Sequence, residues 1–449
     1  MNAGERAAGR VAPARACAFA VVRRTFENGA YTDRALHGEA ARAGLDARDR
    51  ALATQLAFGT VQRRGTLDHL IATLARRPAQ ALDPPVLAAL RLGLFQLCFL
   101  DGVADHAAVH ESVELAKAHG GRGGHGLVNA VMRRATREAP GLLAGLSDRD
   151  PAAAAIRHSH PEWIARLWWE ALGPAEARAL MAADNEPAEA AVRANTLAVE
   201  PAALAAALPV RSAPAPGIPE GLVVHGAFDA HGSPLWRRGE LMPQSRASML
   251  VARTLAPEPG ERVLDLCAAP GAKTTHLAAL MEARGELVAV ERDERRAAGL
   301  RETCARMHAA NVTVQVGDAR SDHGAGYDRV LVDPPCSGLG TLRSRPDLRW
   351  RASAQGVAEL AVLQGEILAA AARAVRPGGT LVYSTCTISP AENEAIVAGL
   401  LGADPAWSAD DIQSDAAVWK HPSVTRHLLL LPHRDGTDGF FIARLRRAP

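Results

Sequence analysis

The sequence predicts a multidomain chain with an all-α N-terminal part, a small α+β middle segment and an α/β C-terminal part. Three observations predict it. At 449 residues the chain is too long for one ordinary domain, for which about 100–200 residues is usual. Residues 12–140 repeat apolar side chains three and four apart, the spacing of one helix face. From about residue 241, short Val- and Leu-rich runs alternate with helical stretches, the rhythm of a parallel sheet with crossover helices.

Composition narrows the class. Hydrophobic residues are 48% of the chain and charged residues 22%, which supports packed cores and excludes wholesale disorder. No apolar run approaches the roughly 18 residues that span a bilayer, so no membrane association is expected. Residues 1–24 scatter Arg among apolar residues and lack a signal peptide's uninterrupted core, so the expected location is cytoplasmic. The six cysteines (17, 98, 267, 304, 336 and 386) form no CxxC pair, so neither a metal site nor a disulfide framework is expected. Residues 1–140 hold 19 Lys and Arg against 13 Asp and Glu, leaving 32 against 36 in the remainder. A basic N-terminal part fits a nucleic-acid-binding module. Only three basic residues are lysines (117, 273 and 420), so the wealth of Arg reads first as composition bias.

In order along the chain, RALHGEAARAGL, DRALATQLAFGTVQRRGTLDHLIATLA, PPVLAALRLGLFQLCFL and HAAVHESVELAKA each predict a helix. Pro84 and Pro85 suit a helix start, where the first N–H groups need no intrahelical partner. Gly120–Gly124 is a flexible connection before LVNAVMRRATRE. The helical part is assigned to 1–140, and 141–157, broken by Pro, Gly and Asp, reads as a linker. Residues 158–240 begin helical at PEWIARLWWEALG and turn strand-like at AAVRANTL, with PAPGIPEG as a loop. The α/β part, 241–449, places strands at RVLDLC, ELVAVE, VTVQV, DRVLVD and TLVYST.

Sheets of this kind bind ligands at the carboxyl ends of their strands. DLCAAPGAKTT (265–275) joins the first strand to its helix, and Gly271 would let the backbone approach a ligand. It matches neither GxxxxGK[ST] nor GxGxxG. Asp265, Glu291, Asp318 and Asp333 end four consecutive strands, which favours a nucleoside-bearing cofactor, with Glu291 suited to a ribose and Asp318 to an adenine amino group. Asp333-Pro-Pro-Cys336 and Ser384-Thr-Cys386 each put a thiol just past a strand end. Cys17, Cys98 and Cys304 read as core residues, whereas strand-end turns can give Cys336 and Cys386 access to substrate and a depressed pKa.

These motifs resemble the RNA cytosine-5 methyltransferases of the NOL1/NOP2/Sun family, in the branch that acts on 16S rRNA. The resemblance covers nearly the whole chain. AFGTVQRRGTLDHLIA and GLVNAVMRR look like a NusB-like RNA-binding helical domain, HSHPEW and VRANTL like the family's middle segment. DLCAAPGAKTTHL, DPPCSGLGTLRSRPDLRW, LVYSTCTISPAENE and DGFFIARL look like its Rossmann-like catalytic domain. The resemblance implies S-adenosyl-L-methionine as cofactor and C5 of a cytosine in 16S rRNA, or a small-subunit precursor, as target. It implies Cys386 as the nucleophile that adds to C6, Cys336 as the residue that releases the methylated base, and Asp333 near N3. Cofactor contacts are implied at Cys267, Ala268, Ala269, Pro270, Gly271, Ala272, Lys273, Glu291, Asp318 and Asp333. A monomer is expected.

The chain departs from the family pattern at two places. Ala272 stands where a second Gly is usual, and would strain the loop by about 1–2 kcal/mol if that position needs positive φ. Arg246, in MPQSRAS, stands where an acidic residue is common. Arg343, Arg345, Arg349 and Arg351 are candidates to hold RNA phosphates, and Trp350 is a candidate either to stack on a base or to pack in a core. Three alternatives stand beside the 16S reading: the same chemistry on tRNA, cytosine-5 methylation of DNA, and a non-catalytic RNA-binding factor. The Thr-Cys motif and the helical domain argue against DNA.

Overall fold

The structure, a computed structural model, describes residues 11–412, 424 and 426–449; Lys420 and residues 1–10 lie outside it. The chain forms two compact units, Met1–Glu186 with Leu342–Arg351, and Pro187–Thr341 with Ala352–Pro449.

The first unit is helical. Its elements are α1 (Pro13–Glu27), α2 (Thr32–Ala43), α3 (Ala47–Gln62), α4 (Arg64–Ala75), α5 (Pro84–Phe99), α6 (Asp105–His119), α7 (Gly124–Ala144), α8 (Pro151–His158), α9 (Glu162–Leu172) and α10 (Pro174–Ala183). Pro at the first turn starts α5, and Asp46 caps α3 by accepting from the Asp49 N–H. Eleven successive residues of α5, Val86 to Gln96, are buried, as befits a helix apolar on every side at the centre of the bundle. Leu56, Leu67, Leu70 and Ile71 of α3 and α4 are completely buried with it. The segment 141–157, read as a linker, is helical at both ends. Pro140 is exposed inside α7, which runs on to Ala144, and Asp150 caps α8 by accepting from the Ala153 N–H.

The short stretch Leu342–Arg351 packs within this unit and corrects one sequence expectation. Arg349 is completely buried. Its Nη1 donates to the Ser159 carbonyl at 3.1 Å and Asn185 Oδ1 at 3.0 Å, and its Nη2 to the carbonyls of Asp184 at 2.9 Å and Leu342 at 3.3 Å. Ser159 and Asp184 are the C-caps of α8 and α10, where helix carbonyls lack intrahelical partners. A planar fork of five donors satisfies several such carbonyls at once. Trp350 donates from Nε1 to the Val61 carbonyl at 2.7 Å, with the Arg64 guanidinium 5.1 Å from its ring. Arg349 is therefore not a phosphate ligand, and the half-buried Trp350 is engaged by Val61 and Arg64 within this unit. Arg351 is exposed and donates to the Gly29 carbonyl at 2.6 Å; Arg345 is exposed as well.

The second unit contains two sheets. The smaller has the order β2-β3-β1-β4, all antiparallel, from β1 (Ala190–Ala194), β2 (Arg211–Ala215), β3 (Ile218–His225) and β4 (Leu241–Pro243), with α11 (Pro201–Ala207) between β1 and β2 and α12 (Pro234–Arg237) before β4. PAPGIPEG is not simply a loop: it is the end of β2, a turn at Pro216 and Gly217, and the start of β3. Two prolines are tolerated there because β2 is an edge strand and Pro219 lies beyond the last β3 residue paired with β1.

The larger sheet has the order β10-β12-β9-β8-β5-β6-β7, with β11 paired to β12. After α13 (Arg246–Leu255) come β5 (Arg262–Leu266), α14 (Ala272–Leu280), β6 (Glu286–Glu291), α15 (Glu294–Arg306), β7 (Val312–Val316) and β8 (Tyr327–Val332). After α16 (Leu348–Arg351, in the first unit) follow α17 (Ala354–Ala374), β9 (Val375–Thr385), α18 (Glu394–Ala403), β10 (Trp407–Ala409), β11 (His427–Leu430), α19 (Pro432–Asp435) and β12 (Phe440–Arg447). Strands β5 to β9 are parallel, as the strand–helix rhythm predicts; β10, β11 and β12 add antiparallel strands at one end. The order reverses between β5 and β8, so the crevice outside the carboxyl ends of those two strands is where such a sheet takes its ligand. Among the described residues no helix is long and apolar enough to cross a membrane.

Candidate active site

The loop after β5 is shaped by two residues with positive φ. Cys267 has φ 66° and Gly271 has φ 104°. A Cβ on Gly271 would also lie 2.7 Å from Leu300 Cδ1, so the position excludes a side chain on two counts. The Ala268 N–H donates to the Val290 carbonyl at 2.9 Å, tying the loop to β6. Ala272 is the first residue of α14 and has no positive φ, so it does not carry the strain that a left-handed second Gly would have implied. The left-handed positions of the loop are Cys267 and Gly271.

Asp265 differs from the other strand-end carboxylates. It is buried, accepts from Thr274 Oγ1 at 2.6 Å, and is pushed up to about 7, chiefly by burial and further by the nearby Asp333. It pins the start of α14 rather than facing a ligand. A carboxyl group that folds preferentially protonated costs stability once the unfolded chain ionises. Asp265→Asn should therefore match wild type below about pH 4, the usual carboxyl range. Its advantage should grow from there to about pH 7 and stay constant above. Thermal melts at pH 4 and pH 8 check this, and an equal difference at both would contradict it.

Glu291 is buried, accepts from the Asp293 N–H at 3.0 Å, and faces Arg296 at 3.4 Å. Arg296 also donates to the Ala269 carbonyl at 2.9 Å, so one cation bridges the first loop and the end of β6. Asp318 is more open. Arg320 meets it at 3.0 and 2.7 Å and reaches on to Glu366 at 3.0 Å, and these hydrogen bonds hold the Asp318 carboxyl well below its usual range.

Asp333, just past β8, receives two donors: Lys273 Nζ at 2.8 Å and Ser384 Oγ at 3.0 Å. Burial alone would lower the Lys273 ammonium, but the Asp333 charge and hydrogen bond outweigh it and raise the group. Lys273 Nζ also lies 5.2 Å from the Phe440 ring. The sequence-predicted thiols come together: Cys336 Sγ is 3.4 Å from Cys386 Sγ, at the carboxyl ends of adjacent strands β8 and β9. Cys336 is held well above the ordinary thiol range by its hydrogen bond with Cys386, by burial, and by Glu392 and Asp333. It is a protonated thiol at neutral pH, contrary to the depressed pKa expected for it. Cys17 and Cys304 are buried, and Cys98 packs against the helical core, as expected.

Two residues that sequence reasoning passed over build the thiol pair. Glu392 is completely buried. It accepts from the Ser337 N–H at 2.8 Å, Ser337 Oγ at 2.5 Å and Gln364 Nε2 at 3.1 Å, and its own carbonyl accepts from Tyr383 Oη at 2.6 Å. One carboxylate thus holds the turn after Cys336 from the segment that follows Cys386. Gly340 donates its N–H to the Cys386 carbonyl at 3.0 Å, and a Cβ there would lie 2.0 Å from the Gly439 carbonyl oxygen. The available signal was SPAENE directly after the Thr-Cys motif. Glu392→Ala should lower kcat by about a hundredfold, the usual cost of misplacing a reacting group by an ångström, while cofactor affinity stays at wild type. Parallel kinetics and cofactor titration check this; an unchanged kcat would refute the clamp.

The MPQSRAS segment is structural. Ser245 caps α13 by accepting from the Ser248 N–H. Arg246 pairs with Glu189 at 2.7 Å and donates to the Asp435 carbonyl at 2.8 Å, which accounts for a cation at this position.

The chain is similar to known proteins over nearly its whole length. Residues 252–446 match the family described as 16S rRNA methyltransferase RsmB/F, residues 12–137 the NusB family, and residues 160–231 the ferredoxin-like domain of RsmF/B-like methyltransferases. A Synechocystis protein named "Probable ribosomal RNA small subunit methyltransferase B" is 37% identical over 97% of this chain and 99% of its own length. Ribosomal RNA small subunit methyltransferase B of Pseudomonas putida is 35% identical over 89% of this chain and 91% of its own. The crystal structure of PH0851 superposes with a TM-score of 0.83 at 26% identity, covering 97% of this chain and 99% of that one. With relatives matching from end to end, and the helical, ferredoxin-like and catalytic parts each matched in turn, the chain belongs to the RsmB/F methyltransferase family.

Proposed function

We propose that this protein methylates C5 of a specific cytosine in 16S rRNA, in the cytoplasm, using S-adenosyl-L-methionine and a covalent link between Cys386 and C6 of the base. The observation that carries the reading is the thiol pair, 3.4 Å apart beside Asp333 at the switch point of the sheet. C5 of cytosine is a poor nucleophile. Addition of the Cys386 thiolate at C6 makes C5 electron-rich, and Asp333, held in place by hydrogen bonds from Lys273 and Ser384, stabilises the ring near N3. The cofactor supplies an electrophilic methyl group. The residues present fit it: a loop turned by Cys267 and Gly271 into the N-terminus of α14, Lys273 in the first turn of that helix, and Glu291, Asp318 and Asp333 at successive strand ends.

Release explains the second thiol. Once C5 carries both a methyl group and its original hydrogen, that hydrogen must leave as a proton while the C6–S bond breaks. Cys336, protonated and 3.4 Å from Cys386 Sγ, gives its proton to the departing sulfur and takes the C5 proton in exchange. Cys336 ends as it began. The proton that left C5 is in effect carried by Cys386, which returns to the thiolate by releasing it to solvent, the one proton that methylation sets free. The target base must also leave its stack, since its C5 and C6 are covered there. The helical unit, by its NusB match, is the candidate RNA-binding part.

The test is transfer from methyl-labelled cofactor to 16S rRNA or small subunits, followed by nucleoside analysis. Label in 5-methylcytidine is the expected result. Label in another nucleoside, or in tRNA alone, would overturn the chemistry or the substrate respectively.

A further inference from the structure

Beside the cofactor loop lies a buried polar cluster that the methyl-transfer chemistry leaves unused. Arg193, in β1, is completely buried. Its Nε donates to Gln244 Oε1 at 2.9 Å, and its Nη2 to Thr275 Oγ1 at 2.9 Å and the Ala272 carbonyl at 3.4 Å. Thr275 Oγ1 in turn donates to the Gly271 carbonyl at 2.8 Å. Through one hydroxyl, the guanidinium therefore reaches the residue whose φ of 104° turns the loop into α14. Its Nη1 is buried with no partner among the described residues.

The charge has a counterpart. Glu220, in β3, is buried and accepts from His276 Nε2 at 2.5 Å and Arg253 Nε at 2.9 Å. Burial, and then the Arg193 charge, push His276 down to about 4, so it is neutral at physiological pH and leaves the Glu220 carboxylate to offset the cations. Such a cluster is hard to explain by stability. Replacing buried ionic groups with apolar side chains of similar volume is often neutral or stabilising. A cation next to a helix N-terminus opposes the helix dipole as well. What Arg193 does supply is a directed contact to the first turn of α14, where a chain of hydrogen bonds strengthens each member.

We propose that Arg193 is a positioning residue for the cofactor loop: by holding the Thr275 hydroxyl against the Gly271 carbonyl, it sets the loop's affinity for the adenosyl cofactor. The proposal rests on the reading of that loop as the S-adenosylmethionine site. Arg193 touches neither thiol, so the bond-making steps should not depend on it.

The test compares Arg193→Met, Thr275→Val and the conservative Thr275→Ser with wild type. The readouts are calorimetric titration of S-adenosylhomocysteine and steady-state kinetics with S-adenosylmethionine varied. Arg193→Met and Thr275→Val should each weaken binding and raise KM about tenfold, the worth of one hydrogen bond. Their kcat should stay within about threefold of wild type, since uniform binding alone is lost. Thr275→Ser should bind as wild type does. The double variant should be no weaker than the weaker single, because both remove the same link. Wild-type affinity in folded Arg193→Met overturns the proposal. So does wild-type affinity in Thr275→Val, which stands in if Arg193→Met does not fold, and so does a fall in kcat at unchanged KM. Failure of the wild-type protein to bind S-adenosylhomocysteine would overturn the cofactor reading itself, and this proposal with it.

Discussion

Cys386→Ala should abolish methyl transfer, and Cys336→Ala should leave the protein covalently attached to its RNA. The two outcomes differ because the thiols stand at different points of one proton exchange. Without Cys386 nothing adds to C6, C5 stays unreactive, and turnover should fall by at least about 10³-fold, the scale seen when a nucleophile is removed. Without Cys336 the addition and the transfer still occur, but the C5 proton has no acceptor and the departing sulfur no donor. The adduct should accumulate with a single turnover of labelled methyl and survive heating in denaturant as a slower band. The double variant should form no adduct, since the link is through Cys386. An adduct in Cys386→Ala but not in Cys336→Ala would exchange the two roles. The 3.4 Å separation makes direct proton passage geometrically available, and the raised Cys336 thiol supplies the proton at neutral pH.

Arg349→Met should destabilise the helical unit by about 3–5 kcal/mol, since each buried acceptor left without a donor costs about 1–3 kcal/mol. Four acceptors, Ser159, Asn185, Asp184 and Leu342, lose their donor together in a region that water does not reach. Arg349→Lys should recover little, because a point ammonium with three donors cannot span acceptors arranged for a planar fork. Hydrogen exchange localises the effect better than a melting curve in a chain of several domains. Faster exchange in α8 and α10 is expected, with β5 and β6 unchanged. Unchanged exchange in α8 and α10 would show that the acceptors find other partners.

The sequence carried the architecture because its signals are local. Apolar spacing of three and four marks the helical part, although the run 49–75, read as one helix, is divided at Arg63 into α3 and α4, and Val-rich runs mark β5 to β9, whose carboxyl ends then follow. The Cys336 and Cys386 motifs were legible for the same reason, each being a strand-end turn in a parallel sheet. What escaped depends on side chains that are distant in sequence. Arg349 sits in an arginine-rich run after Cys336 and reads as a phosphate ligand; only folding reveals that it ends on the caps of α8 and α10. Glu392 reads as one of two acidic residues in AENE, and nothing nearby shows that it clamps Ser337, some 55 positions away. The antiparallel β12 has the composition of any buried strand, so its direction was not readable. Ala272 misled in the opposite sense: comparison of motifs suggested strain, but the positive φ belongs to Gly271.

The most direct test of the central claim is bisulfite sequencing of total RNA from cells with and without this gene, because 5-methylcytosine resists the conversion that ordinary cytosine undergoes. One 16S rRNA cytosine should be protected in the parent and converted in the deletion strain, with protection restored by the wild-type gene and not by Cys386→Ala. No change at any 16S cytosine, with the gene confirmed as expressed in the parent, would contradict it.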